Sequence, residues 1–389
     1  MKARKISNTV TWLGAIDWDR RLFDSLIPLP DGTTYNAYLV RGDSKTALID
    51  TVDPSMAHVL LRQLEDVPQV DYVISNHAEK DHSGAIPEVL KRYPEAVLLI
   101  SDRAVNVLVD SLKISHERIR VVKDNETVDL GGGTLEFLYT PWVHWPETMV
   151  TYLQEEGVLF SCDFLGCHIA SSDLYVTDKA RVAEAAKRYF AEIMMPFRNH
   201  IRKHLERLAR YPVQMVAPSH GPIHPDPDFI LDAYREWAAD KPKNLVVIPF
   251  VSMHGSTEKM VDCLVESLVE KGVNVERYDL AVADIGKLAT ALVDAATIVV
   301  ATPTVLGGPH PLAAYAAVLA NALKPKAKYL SVIGSYGWGG KSVEALAGMI
   351  PNLNVEVVEP YLTKGSPDQI DCDAIDKLAS AIAERHASL

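Results

Sequence analysis

The sequence predicts a mixed α/β protein of two domains. The first is built on antiparallel or mixed sheets covered by helices, the second on a doubly wound parallel sheet of five strands. Three observations carry this expectation. At 389 residues the chain is long enough to bury two cores. Short strand-like runs alternate with turns up to residue 243, and beyond it five apolar runs alternate with helix-like segments. Between the two regimes Trp237–Lys243 is polar and contains a proline, so it reads as a linker, with domains at 1–243 and 244–389.

In the first domain the strand candidates are Tyr38–Arg41, Lys45–Asp50, Asp71–Ser75, Val97–Ile100, Thr134–Tyr139, Met149–Leu153, Val158–Cys162 and Val213–Ala217. Helix candidates are Met56–Leu64, Gly84–Tyr93, Arg103–Leu112 and a long charged segment, Asp178–Tyr211. In the second domain Val246–Val251, Asn274–Tyr278, Thr297–Ala301, Tyr329–Ile333 and Val355–Val358 are apolar or β-branched runs. Helices are expected to start near Thr257, Ile285, Pro311, Ser342 and Asp368. No internal repeat or low-complexity tract is present.

Hydrophobic content of 48% and charged content of 23% fit an ordinary globular protein. A net charge of −12 argues against nucleic acid as a partner, because phosphate binding needs a basic face. The N-terminal MKARKISNTVTWLGAIDWD has no uninterrupted apolar core and no cleavage site, and no apolar run reaches the length of a membrane span. The expected location is the cytoplasm. Cys162, Cys167, Cys263 and Cys372 form no C-x-x-C pair and show no disulfide spacing, which suits a reducing compartment and excludes an appended rubredoxin-type module.

Seven potential metal ligands follow four of the strand candidates. His77, Glu79, Asp81 and His82 lie in one tight loop after Asp71–Ser75. His144 opens the segment HWPETM, Asp163 follows Ser161-Cys162, and His220 lies in Ala217–Gly221 (APSHG). A single histidine beside acidic residues is usually a surface loop or a helix cap. Loops leaving one edge of packed sheets converge in space, however, and seven such residues at strand ends form a ligand set. Four histidines with three carboxylates suffice for two metals, and the mixture of hard oxygen with imidazole suits iron. His77 and Glu79 can serve one metal while Asp81 and His82 serve the next. Nearby, Cys162 and Cys167 read as small core residues. His168 is either a residue that orients a ligand or a structural histidine, Trp142 and Trp145 pack around the site, and His200, His204 and His224 read as solvated.

Three loops in the second domain follow strand candidates and suit a phosphate-bearing ligand. They are Ser252-Met253-His254-Gly255-Ser256-Thr257, Thr302-Pro303-Thr304-Val305-Leu306-Gly307 and Ser335-Tyr336-Gly337-Trp338-Gly339-Gly340. Open α/β sheets bind ligands at the carboxyl ends of their strands, where helix N-termini and glycine-rich backbone favour phosphate. Trp338 offers a flat face for stacking. No G-x-G-x-x-G follows a strand, so a resident nicotinamide is not expected.

The run H-x-E-x-D-H from His77 to His82 resembles the metallo-β-lactamase pattern H-x-H-x-D-H, with Glu79 in place of the second histidine. With HWPETM, Asp163 and APSHG it resembles the flavodiiron proteins, and the second domain resembles a flavodoxin module binding FMN. The resemblance covers essentially the whole chain. It implies a metallo-β-lactamase-like αββα sandwich followed by a flavodoxin-like domain. It implies one iron at His77, Glu79 and His144, another at Asp81, His82 and His220, and Asp163 bridging them. It further implies reduction of O2 to water, NO to N2O, or both, with electrons entering at FMN from rubredoxin or a reduced deazaflavin. In such proteins the two sites of one chain lie far apart, and a head-to-tail homodimer, or a dimer of dimers, brings FMN to the irons of the other subunit. Two departures stand out. His254 takes a place usually held by Thr in simple flavodoxins. Phe23-Asp24-Ser25-Leu26 occupies a segment where many members carry a His and a Tyr near the irons. The alternatives are a zinc-dependent hydrolase fused to a flavodoxin domain, with Glu79 against it, and a plain electron-transfer protein.

Overall fold

Along the strand Thr33–Arg41, Tyr35, Ala37 and Leu39 enter one core while Tyr38 and Val40 enter another. Successive strand side chains point to opposite faces, so a strand covered on both sides reads as continuous apolar sequence. The structure, a computed structural model, describes every residue except Asp24. Of the Phe23–Leu26 departure, therefore, Asp24 lies outside the described residues. Two compact units form: Met1–Tyr189 with Phe197–Ala238, and Phe190–Pro196 with Ala239–Leu389.

In the first unit a seven-stranded sheet runs Arg4–Lys5, Val10–Asp17, Thr33–Arg41, Thr46–Ile49, Tyr72–Ile74, Val97–Ile100, Ile119–Val121, in chain order. Its first four strands pair antiparallel and its last four parallel. A second sheet holds Thr127–Asp129, Thr134–Tyr139, Met149–Leu153, Val158–Cys162 and Met215–Pro218, antiparallel except for the last pair. Helix residues Leu60, Val89 and Leu108 cover the outer face of the first sheet through Leu39, Leu48, Val73 and Leu98. Between the sheets, Trp12, Tyr38, Ile49 and Leu99 meet Phe137, Leu153, Phe160 and Ala217. On the far side, Tyr152 of the second sheet meets Tyr211, just past the helix Arg198–Leu208. The layers are helix, sheet, sheet, helix.

Two expectations change here. Val10–Asp17 is a long strand that the pattern does not announce, because its apolar run is interrupted by Gly14 and buried on both faces. The segment 178–211 is not one helix. Lys179–Tyr189 passes into a π-helical turn, Phe190–Met194, then a 3-10 turn, Met195–Phe197, before Arg198–Leu208 resumes. Pro196 lies in that break, where it cannot supply a helical N–H.

The second unit has strand order Asn274–Asp279, Leu245–Phe250, Thr297–Val305, Tyr329–Tyr336, all parallel, then a split fifth strand. Glu356–Val357 pairs with the start of Tyr329–Tyr336 and Tyr361–Lys364 with its end, with Pro360 between them. The expected single strand at Val355–Val358 is thus only its first half. Ser256–Glu270 and Gln369–His386 pack side by side through Leu264, Leu268, Ile375 and Leu378. That packing brings Cys263 and Cys372, 109 residues apart, to a Cα separation of 5.7 Å, and they form a disulfide. The expectation of four unpaired cysteines fails because helix packing, not local spacing, brings this pair together; Cys162 and Cys167 are free and buried.

At the end of the last helix, His386 Nδ1 lies 2.8 Å from Asn244 Oδ1 and its Nε2 lies 2.7 Å from the Thr297 hydroxyl. Asn Oδ1 only accepts, so Nδ1 carries the proton and Nε2 accepts from Thr297. Burial pushes the His386 pKa down to about 4. An unfolded histidine titrates near 6.5, so the unfolded chain binds more protons in the window between these values. Stability is complete above about pH 6.5 and falls as pH drops towards 4. His386→Gln is expected to remove on the order of 1–2 kcal/mol of this pH dependence. Amide hydrogen exchange across Gln369–His386 at pH 7 and pH 4.5, in both proteins, measures it.

Candidate metal centre and flavin cleft

The residues after the strand Tyr72–Ile74 are held by side chains instead of a ladder. Asn76 donates its N–H and its amide to the buried Asp50 carboxylate at 2.8 and 3.1 Å and accepts from the Thr151 hydroxyl at 2.7 Å. The expected tight loop is partly a helical turn, Lys80–Ser83, preceded by Glu79 in extended conformation. Thr51 clamps that turn by donating its N–H and hydroxyl to the His82 carbonyl at 2.7 and 2.6 Å. His77 and Glu79 therefore approach from before the turn and Asp81 and His82 from its side. From the first sheet, Asn36 donates to the carbonyls of Pro218 and Gly221, both at 2.8 Å, and Tyr38 donates to Pro218 at 2.6 Å. Gly221 has φ +81°, and a Cβ there would sit 2.5 Å from Cys167 Sγ. That close approach seats His220 against Cys167.

All seven predicted ligands come together. Glu79 Oε2 lies 3.1 Å from both His77 Nε2 and His144 Nε2. Asp81 Oδ2 lies 3.2 Å from His82 Nε2 and 3.1 Å from His220 Nε2. Asp163 stands between the two groups: Oδ2 is 3.5 and 3.2 Å from His77 and His144, and Oδ1 is 2.9 and 3.4 Å from His82 and His220. Cys162 falls within the same cluster beside His82 and Asp163, but burial pushes its thiol pKa well up, so it is a protonated neighbour.

The donor set fits cations. Both Asp81 carboxylate oxygens, Asp163 Oδ1 and His82 Nε2 are buried without a hydrogen-bond partner among the described residues. Native interiors rarely leave such atoms unsatisfied, and a metal pair accounts for them together. Burial opposes charge on His77, yet its hydrogen bonds to the Glu147 and Glu79 carboxylates outweigh it and hold its pKa well above the usual value. For His144 and His220 the carboxylates likewise overcome burial and lift the pKa to about 9 and about 10. The same histidines hold Glu79 and Asp163 ionised against their burial. The cluster thus concentrates negative charge at a point where cations belong.

Several neighbours lie outside the predicted ligand set. Glu147, within the HWPETM segment but not singled out there, accepts from His77 Nδ1 at 2.7 Å. Tyr189 is buried, with its ring 4.8 Å from His168 and 6.2 Å from His220, and burial followed by the Asp163 charge raises its phenol well above the usual value. Phe23 packs on His168 at 5.0 Å and on His220 at 6.4 Å. His168 is buried, 2.9 Å from the Thr33 hydroxyl and 4.6 Å ring to ring from His220. Burial drives its pKa well down, so it is neutral. Trp145 packs edge-on against His77, while Trp142 is exposed and stacks on Phe197.

His204 and His224 are buried, not solvated. His204 lies on the inward face of its helix and meets the Pro141 carbonyl at 2.9 Å, and His224 is held by a bridge to Val216, its ring against Phe229. His200 is half-buried near Trp142.

In the second unit Met253, His254, Ser256 and Thr257 line a cleft with Pro303, Thr304, Ser335, Tyr336 and Gly337. Gly255 takes φ +82° as the residue before the helix Ser256–Glu270, with open space where a Cβ would stand. Hydroxyls from Ser256, Thr257, Thr304 and Ser335, beside a helix N-terminus, suit a phosphate. Other predicted residues lie outside the lining. Ser252 closes the turn by accepting from the N–H groups of Gly255 and Glu258 at 3.1 and 3.2 Å. Thr302 is buried and accepts from His310 N–H at 3.0 Å. The second loop is mostly strand: Thr297–Val305 turns back onto Gly308–Pro309, leaving Val305, Leu306 and Gly307 at a hairpin with Leu306 90% exposed. Trp338, Gly339 and Gly340 also lie outside, and Trp338 is exposed. Gly365 and Ser366 join the lining, at the end of the short strand Tyr361–Lys364.

Among the described residues no helix is long and apolar enough to cross a membrane. Residues 33–221 match a family model described as ODP family beta lactamase. A nitric oxide reductase from Moorella thermoacetica is 35% identical, the match covering 97% of this chain and 98% of that protein. A coenzyme F420H2 oxidase from Methanothermobacter marburgensis is 33% identical over 98% of each. The solved structure of a rubredoxin oxygen:oxidoreductase from Desulfovibrio gigas has a TM-score of 0.94 at 32% identity, covering 99% of both chains. Similarity that spans both units in the same order means that this chain belongs to the flavodiiron proteins.

Proposed function

We propose that this protein reduces O2 to water, NO to N2O, or both, at two non-haem irons supplied with electrons through FMN. One observation carries the reading: the two oxygens of Asp163 face two different ligand groups. His77, Glu79 and His144 are assigned to one iron, Asp81, His82 and His220 to the other, with Asp163 shared. Met253–Thr257, Pro303, Thr304, Ser335–Gly337, Gly365 and Ser366 are assigned to FMN. When bound, the irons and FMN supply two electrons each, the four that O2 requires, whereas two NO require two.

The protein's own groups prepare the site. Phe23, His168 and Tyr189 form an apolar and aromatic wall beside His220 that keeps water away. Tyr189 keeps its phenolic proton, since burial and the Asp163 charge disfavour the phenolate, so it is a hydrogen-bond donor facing the centre. Phe23 supplies neither a proton nor a hydrogen bond, which leaves Tyr189 and His168 as the polar groups of that wall.

Rubredoxin or a reduced deazaflavin is the proposed donor, following the relatives named for rubredoxin and for F420H2. A head-to-tail homodimer, alone or paired into a dimer of dimers, and a cytoplasmic location complete the proposal. The hydrolase alternative is not favoured, because the relatives named above are oxidoreductases.

Purified protein is expected to contain bound FMN and about two irons per chain, both reoxidised when O2 or NO is added to the anaerobically reduced form. Zinc in the centre, or flavin that reoxidises no faster than free flavin, overturns the reading; the relative rates with the two gases identify the substrate. Asp163→Ala is expected to abolish gas reduction while FMN stays bound, read by gas-electrode assay and flavin absorbance. Gly221→Ala forces a Cβ against Cys167 at a left-handed position and is expected to cost about 1–3 kcal/mol locally. Iron analysis of that variant should return fewer irons per chain than wild type.

A further inference from the structure

We infer that Glu147 is a positioning residue that sets the reduction potential of the His77 pocket and leaves that of the His220 pocket alone, an inference that rests on the diiron reading above. Glu147 is 3% exposed. Its Oε1 accepts from Ala78 N–H at 3.1 Å, and the same oxygen lies 2.7 Å from His77 Nδ1. An oxygen already accepting from a main-chain N–H at this position takes Nδ1–H as a second donor, so Nδ1 carries the His77 proton. With a metal bound the imidazole would be neutral, and its Nε2 lone pair would point to the side of Glu79 and Asp163. The segment bearing Glu147 is pinned as well: Ser101 donates to the Glu147 carbonyl at 2.6 Å, and the Thr148 hydroxyl to the Thr140 carbonyl at 2.5 Å.

The other pocket is backed differently. His220 Nδ1 lies 2.6 Å from the Thr34 carbonyl oxygen, so its orientation is set by a neutral acceptor. A carboxylate behind an imidazole raises the basicity of the coordinating nitrogen, and a more basic ligand favours ferric over ferrous iron. A main-chain carbonyl fixes the tautomer with far less electron donation. The two pockets, which share Asp163, are thus electronically unequal through the residues behind them. With iron bound, the carboxylate behind His77 would make its pocket the harder of the two to reduce.

Glu147→Gln and Glu147→Ala separate position from charge. Gln keeps an acceptor oxygen for Nδ1–H and Ala78 N–H and removes the charge; Ala removes both. The measurement is an anaerobic redox titration of the holoprotein, following the half-reduced iron signal by electron paramagnetic resonance and FMN by absorbance as an internal control. Glu147→Gln is expected to keep two irons per chain and to raise one iron midpoint, with the flavin midpoint unmoved. A tenfold loss of ferric preference corresponds to a rise of about 59 mV. Glu147→Ala is expected to weaken iron binding in that pocket 10–100-fold, by the usual effect of removing such a partner, read as about one iron retained after dialysis against a chelator. The inference is overturned if both iron midpoints of Glu147→Gln match wild type, or if both move equally. Should Glu147→Ala not fold, the Gln titration alone decides. Wild-type protein without an iron pair overturns the proposed function, and this inference with it, whereas normal wild-type iron with unmoved Gln midpoints overturns this inference only.

Discussion

A carboxylate sealed in a dry interior needs a compensating charge, and Asp163 imposes that need on this protein. It is 2% exposed, and Oδ1 has no hydrogen-bond partner among the described residues. Leaving such a charge uncompensated costs several kcal/mol, more than most single contacts contribute. Protonated histidines answer the need only in part. His77, His82, His144 and His220 cannot all stay cationic at such close range, and each gives up its proton when its Nε2 lone pair is used. With neutral imidazoles the centre holds three negative charges from Glu79, Asp81 and Asp163. Two divalent cations between the groups would more than offset these three charges, so the orphaned oxygens and the grouping of the side chains point the same way.

Holding these groups together requires loops from two sheets to converge without ladders of their own. The structure does this with buried polar side chains that are themselves fully used. Asn76 ties the His77 loop to Asp50 and Thr151, and Asn36 ties the His220 loop to the first sheet through two carbonyls. Each such network is costly if left partly satisfied and rigid once complete. Rigidity matters because a ligand displaced by a fraction of an ångström no longer shares a metal with its neighbours. The flavin cleft is built on another principle. Its hydroxyls sit at strand ends and a helix N-terminus, so backbone geometry common to parallel sheets does the positioning.

The seven side chains that the fold brings together were legible in the sequence because coordination demands particular side-chain types, and those types recur after strand ends. What lay beyond them was not. Glu147, Tyr189 and Phe23 act through packing and single hydrogen bonds, for which many residue types serve and no spacing is required. His204 and His224 looked polar in sequence because their neighbours are polar, but helix facing and a bridge to Val216 turn their rings inward. The disulfide was invisible because its two cysteines, 109 residues apart, meet only when their helices pack side by side. One strand buried on both faces was also hard to read. Val10–Asp17 lacks the alternation that marks a half-buried strand, whereas the parallel strands of the second unit stood out as short apolar runs between helices.

Exposure is divided unevenly across the centre. The side chains of Glu79 and His144 are 14% and 15% exposed, while those of Asp81, His82, Asp163 and His220 are at most 4%. The His77–Glu79–His144 group therefore meets solvent, with Trp145 packed against two of its histidines. The Asp81–His82–His220 group faces a dry wall of Phe23, His168 and Tyr189. The accessible side is also the one backed by the Glu147 carboxylate, and the dry side is backed by a neutral carbonyl. The Glu147 carboxylate is itself buried and is held by Ala78 N–H and His77 Nδ1. Asp163, with one oxygen towards each group, is shared between the more exposed and the drier side.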